Sequence, residues 1–233
     1  MMLKIVIKTS IFQLLATPNF QLFMKITFIS SKQIEHIPIL TAEVIFVMPF
    51  TQAKVANLTA KLMAERASYP GLIICVHDDH GDGFIHIVNR VFNASQSKWF
   101  GYVAQDAFPG RHWLRIAINS LTSLNGGLLG FNDGKWLGEL AGFGLANRKW
   151  AQQNYQGQFF NPNYVQHYAD TELSLLAQAA DRYCYNPNSL LVEIDWDKDS
   201  KPANFEDKNY FQSRCKNQFD RRITNPNLLN KFL

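Results

Sequence analysis

Two apolar runs on either side of a helical pattern constrain this chain more than any other feature. Glu43-Val44-Ile45-Phe46-Val47-Met48-Pro49 and Leu72-Ile73-Ile74-Cys75-Val76 are short and continuous, the pattern of strands buried on both faces. Between them Val55, Leu58, Leu62 and Met63 recur at helical spacing behind Thr51, a residue type that caps helix starts. Pro70-Gly71 then turns the chain back. Strand, helix and strand in about 35 residues make a βαβ unit with a right-handed crossover. The expected fold is therefore a single α/β domain with a central, mostly parallel sheet flanked by helices.

A second helical stretch, about Phe84 to Phe92, leads to a third strand-like run, Trp99 to Ala104. That run closes on Gln105-Asp106-Ala107 and a Pro109-Gly110 turn, so Asp106 is expected at the strand's carboxyl end. In an open α/β sheet ligands gather at that end, although an aspartate after a strand also serves as a turn former. Further on, the spacing predicts a helix over 111–124, then a strand ending in the Asn132-Asp133-Gly134 turn of a hairpin. A strand and a short helix bearing Arg148 follow within 137–150, and then a helix capped by Asp170 or Thr171 and running to about Asp181.

The cluster from His77 to Gly83 excludes more than it assigns. Asp78, His80, Asp82 and Gly83 imitate the opening of a calcium loop, but the twelfth position is Asn89 where a bidentate Glu is required. His77, Asp79 and His80 match part of a zinc-hydrolase motif whose first histidine is replaced by Cys75. Neither a dinucleotide fingerprint nor a P-loop is present. The plain alternative is a polar turn in which Asp82 caps the next helix.

Length and charge set the outer limits. With 233 residues, 47% of them hydrophobic, the chain can bury a sizeable core. A net charge of +4 spread along the chain suits an anionic ligand or an acidic membrane surface, and is not the footprint of a nucleic-acid binder. Cys75, Cys184 and Cys215 are odd in number and widely spaced, which argues against a disulfide framework and for a reducing, cytoplasmic setting. Residues 1–41 read as an N-terminal extension. In it Lys4 and Lys8 precede a short apolar stretch faintly like a signal peptide, and Met24 looks like a fresh start. Residues 197–233 form a polar tail rich in Lys and Arg, expected to be solvated, with a lid or a peripheral membrane contact as its functional reading.

Within 42–196 an ordered series of features resembles an A-type glycosyltransferase, close to the inverting enzymes that use nucleotide-diphosphate sugars. The series comprises Met48-Pro49-Phe50, Val76-His77-Asp78-Asp79, the Gly101 to Pro109 stretch, Gly130-Phe131-Asn132-Asp133-Gly134, and His167-Tyr168-x-Asp170-x-Glu172-Leu173. The resemblance implies a hexosyltransferase-type enzyme whose donor contacts fall on Pro49, Asp78, Asp79 and Asp133. It implies Mn²⁺ or Mg²⁺ on the diphosphate, held by Asp106, and Asp170 or Glu172 as the base; His167, one helical turn before Asp170, is a candidate second metal ligand or orienting donor. One departure stands out: the usual acid pair on the metal appears as Gln105-Asp106-Ala107, with a single acid.

The chemistry agrees with that set. A departing diphosphate gains charge that a hard cation held by carboxylate neutralises, and the attacking hydroxyl needs a positioned base. The acceptor, whether glycan, lipid or protein, is not legible. Two other readings remain open: a metal-dependent hydrolase built on His77, Asp79 and His80, and a non-catalytic nucleotide-sugar-binding protein.

Overall fold

All seven residues of Val44–Phe50 are buried, because this strand lies inside the sheet with helices on both faces. The computed structural model describes residues 23–194 and 203–233. In chain order the elements are β1 (Met24–Ser30), β2 (Leu40–Thr41), β3 (Val44–Phe50), α1 (Ala53–Arg66), β4 (Gly71–His77), α2 (Phe84–Asn93), β5 (Ser95–Gln96), β6 (Trp99–Tyr102) and β7 (Ala107–Pro109). There follow α3 (Trp113–Ser123), β8 (Leu128–Asn132), β9 (Gly144–Asn147), α4 (Arg148–Ala151), α5 (Ala169–Ala179), β10 (Tyr183–Glu193), α6 (Phe205–Lys216), α7 (Gln218–Arg221) and α8 (Pro226–Leu229).

The main sheet has eight strands in the order β1-β4-β3-β6-β9-β8-β10-β7, with β2 and β5 paired separately. β1, β4, β3 and β6 are mutually parallel, as are β8 and β10, while β9 runs antiparallel between β6 and β8. The period-2 alternation of strand side chains divides the core into two layers. Ile45, Val47, Ile74 and Val76 pack with Val88 and Phe92 of α2 and Leu173 and Leu176 of α5. Phe46, Met48, Ile73 and Cys75 pack with Met63 of α1 and Trp113 and Leu121 of α3. At Gly101 of β6 the Phe46 ring lies so close to the backbone that a Cβ would collide with it.

Four expectations are corrected. First, the strand predicted to run on to Asp106 ends at Tyr102, and Asp106 sits in a turn. Gln105 is drawn across to α1, where its amide oxygen accepts from the backbone N–H groups of Thr51 (3.0 Å) and Gln52 (2.9 Å). Ala107–Pro109 then pairs antiparallel with β10 at the far edge. Second, those two bonds replace the Thr51 cap, since Gln52 occupies the cap position and makes no side-chain cap bond.

Third, the sheet begins ahead of residue 42, because Met24–Ser30 pairs in parallel with β4 from Met24↔Gly71 to Ser30↔His77. The leader readings for the first 22 residues lie outside the described residues. Fourth, the expected solvated tail is docked: Phe211, Cys215, Phe219 and Ile223 are buried in the core. Lys198 and Lys201 lie outside the described residues. No helix among the described residues is long and apolar enough to cross a membrane.

Candidate active site

Beyond the carboxyl ends of β6 and β8 the structure opens a cleft of about 800 Å³. Its walls are largely aromatic, from Phe84, Tyr102, Trp136, Phe160 and Tyr168, and its polar groups include Asp133, Lys135, His167, Asp170 and Glu193. Aromatic walls joined by a set of convergent polar groups suit a small-molecule site.

Asp133 follows β8 and is 3% exposed. Its Oδ1 accepts from the backbone N–H of Lys135 (2.9 Å) and of Trp136 (2.8 Å), so the expected Asx turn is formed. The chain returns as β9 after a long connection. Gly142 in that connection has no room for a side chain, as a Cβ there would lie 2.9 Å from Asp133 Oδ2.

Asp170 is the second residue of α5, partly buried at the cleft, with its Oδ1 accepting from the Thr171 N–H at 2.8 Å. Burial pushes its carboxyl above the ordinary carboxylate value, a larger effect than the lowering by that bond. The expected cap by Asp170 or Thr171 is not formed. The cap is Tyr168, whose backbone is left-handed (φ 67) and makes no side-chain cap bond. Its ring stacks on Phe211 of α6, with centroids 4.8 Å apart.

Glu172 has a different task. It is fully buried and takes both Nη2 (2.9 Å) and Nε (3.2 Å) of Arg214, the Tyr164 hydroxyl (2.8 Å) and the Asn161 amide (3.3 Å). It does not line the cleft, so it fastens α6 to α5. Asp207 of α6 does the same for the loop before α5. It is 1% exposed and accepts the backbone N–H groups of Val165, Gln166 and His167, each at 2.8 Å. Neither Asp207 nor Arg214 is detectable by apolar periodicity; the only sign is the Asn204-x-x-Asp207 spacing, in which the Asn204 side chain caps α6 through the Asp207 N–H at 3.0 Å.

The other expected donor contacts lie together at the carboxyl ends of β3 and β4, outside the lining of this cleft. Pro49 lies within β3 opposite Val76. Asp78 turns its carboxylate to the N–H groups of Asp82 (2.8 Å) and Gly83 (3.0 Å). Asp79 is held by the hydroxyls of Ser30 (2.8 Å) and Ser31 (3.0 Å), and the Ser30 bond lowers its pKa. The proposed Asp82 cap is absent: Gly83 takes the cap position and Asp82 pairs with Arg90 at 2.7 Å.

His77 stacks on Phe50, and no group of three or more His, Cys, Asp or Glu among the described residues is placed to hold a metal. The His77, Asp79 and His80 hydrolase centre is thus not assembled. Asp106 is 5% exposed in its turn and does not line the cleft, whereas His167 does. Of the two expected metal ligands, only His167 therefore faces the cleft. Burial pushes the Cys75 thiol up to about 12, which leaves it inert at neutral pH.

No family model and no curated protein matches the sequence. Solved structures do match the fold. The mannosyltransferase PcManGT from Pyrobaculum calidifontis, in complex with GDP-Man and Mn²⁺, is 13% identical over 80% of this chain and 66% of its own, with a TM-score of 0.48. S. aureus TarS is 8% identical over 77% of this chain and 40% of its own, with a TM-score of 0.54. Its 1–349 fragment is 9% identical over 64% and 59%, with a TM-score of 0.46. The chain spans less than two thirds of each of these chains. At such identities the likeness establishes the fold alone: an α/β fold with a mostly parallel central sheet, shared with TarS.

Proposed function

We propose that the chain is a glycosyltransferase that moves a sugar from a nucleotide-diphosphate donor to an acceptor hydroxyl with inversion, using Asp170 as the general base. The observation that carries this reading is Asp170 itself, a carboxylate at an aromatic cleft whose affinity for a proton is raised by burial. A raised pKa brings a carboxylate closer to the range in which a general base works best. In the step, the acceptor oxygen bonds to the anomeric carbon as the bond to the diphosphate breaks. The hydroxyl proton passes to Asp170 and the electron pair leaves with the diphosphate. Asp133 and the aromatic walls are the donor and acceptor contacts on this reading.

The donor set does not fit the Mn²⁺ or Mg²⁺ expected at Asp106 and His167, because only His167 reaches the cleft. No step is assigned to such an ion. Lys135 and His167 are the basic side chains that line the cleft beside Asp133 and Asp170, and they are the groups at hand for the diphosphate. Asp106, outside the cleft, favours a second reading, a nucleotide-sugar-binding protein without turnover.

The test pairs binding with turnover. Thermal shift with UDP, GDP, CMP and dTDP sugars, with and without Mn²⁺, identifies the donor. Asp170→Asn is then expected to cut nucleotide release by about 10²–10⁴-fold with donor affinity retained. A fully active variant would remove Asp170 from the chemistry, and donor binding without turnover in the parent protein would favour the binding-protein reading.

A further inference from the structure

At the opposite end of β6 a second cavity, of about 290 Å³, opens between the end of α2, β5 and α4. At it lies Arg148, the first residue of α4 and only 9% exposed. Its guanidinium stands 4.1 Å from the Phe92 ring centroid and 5.2 Å from that of Phe100. Nε donates to Ser97 Oγ (3.2 Å), Nη1 to the Phe92 carbonyl (2.8 Å) and Nη2 to Ser95 Oγ (3.0 Å). These three acceptors are neutral, and they leave two of the five guanidinium N–H donors over.

Two other part-buried arginines are treated differently. Arg214 is paired with Glu172 and Asp220, and Arg90 with Glu35 and Asp82. Arg148 has no carboxylate partner among the described residues. Burial lowers its pKa to about 10 with no acidic neighbour offsetting the effect. A buried cation without a counter-charge is costly, and the rest of the cavity lining includes Asn93, Gln96 and Gln152 but no acid.

We propose that this cavity binds a phosphate group on Arg148, the anion supplying the missing counter-charge. Guanidinium and phosphate are well matched in geometry and charge. The site lies apart from the cleft, so it stands or falls independently of the glycosyltransferase reading. Its ligand is either a free phosphate or a phosphate presented on a lipid headgroup.

The experiment titrates inorganic phosphate into the full chain at constant ionic strength maintained with KCl, and follows Tm. A saturable rise is expected. Gln96→Glu places a carboxylate at an exposed lining position, where the fold tolerates it, and is expected to weaken phosphate binding at least tenfold, as is Arg148→Lys. Co-sedimentation with phosphatidylglycerol vesicles, set against phosphatidylcholine, separates the sources. Vesicle binding competed by phosphate assigns a headgroup, and saturation without vesicle binding assigns the free anion. No rise in Tm beyond the KCl control, or undiminished phosphate binding by Gln96→Glu, would overturn the proposal.

Discussion

Burial at the cleft makes the ionised form of Asp170 costly to the fold. Its folded pKa is raised above the ordinary 3.8, so the folded state favours the protonated form. Stability is therefore lost as pH rises from the ordinary value through the raised one, and that loss is in place above it. Asp170→Asn is expected to melt higher than the parent at pH 7 and to lose that advantage below about pH 3.8, which Tm measured across pH checks. A position that gains stability when its charge is removed, and loses turnover with it, is behaving as a functional residue. Asp170 itself was legible from its place ahead of an apolar helical repeat. The direction of its pKa was not, because the burial comes from the aromatic cleft walls contributed by segments distant in the chain. Asp106 illustrates the converse: its place after β6 was legible, but the turn that takes it from the cleft depends on Gln105 reaching Thr51 and Gln52, a contact between residues about fifty positions apart.

The βαβ unit of β3, α1 and β4 is the part that apolar periodicity describes best, since local pattern and tertiary burial agree there. Less legible was β1, whose burial alternates only in part and which sits on the edge of the sheet beside β4. Between β3 and β6 the packing leaves no slack: Phe46 also meets Trp113 edge-on at 5.0 Å, so its ring cannot swing away from Gly101. Gly101→Ala is expected to cost about 1–3 kcal/mol through overpacking, read as a lower midpoint in urea with an unchanged slope. Gly101 therefore marks a close approach of strand and aromatic ring, in a run where an added methyl would otherwise be taken for a gain in β propensity.

Taken whole, the molecule is closed by polar contacts that apolar patterns do not report. The segment that composition marks as a solvated tail supplies Arg214 to Glu172, Asp207 to the loop ahead of Asp170, and Phe211 beneath Tyr168. Arg214→Met leaves Glu172 charged and uncompensated in the interior, and is expected to cost about 3–5 kcal/mol. Glu172→Gln combined with Arg214→Met is expected to recover much of that loss, and denaturant titration of the three chains measures the difference.

The Glu172 and Arg214 pair also imposes an order of events on synthesis. Arg214 lies 42 residues after Glu172, so at about 5–20 residues per second the carboxylate waits roughly 2–8 s for its partner to be made. During that interval Glu172 lacks the two Arg214 hydrogen bonds that hold it in the folded chain. The loop ahead of Asp170 and the surroundings of Glu172 are therefore completed only once α6 has been made.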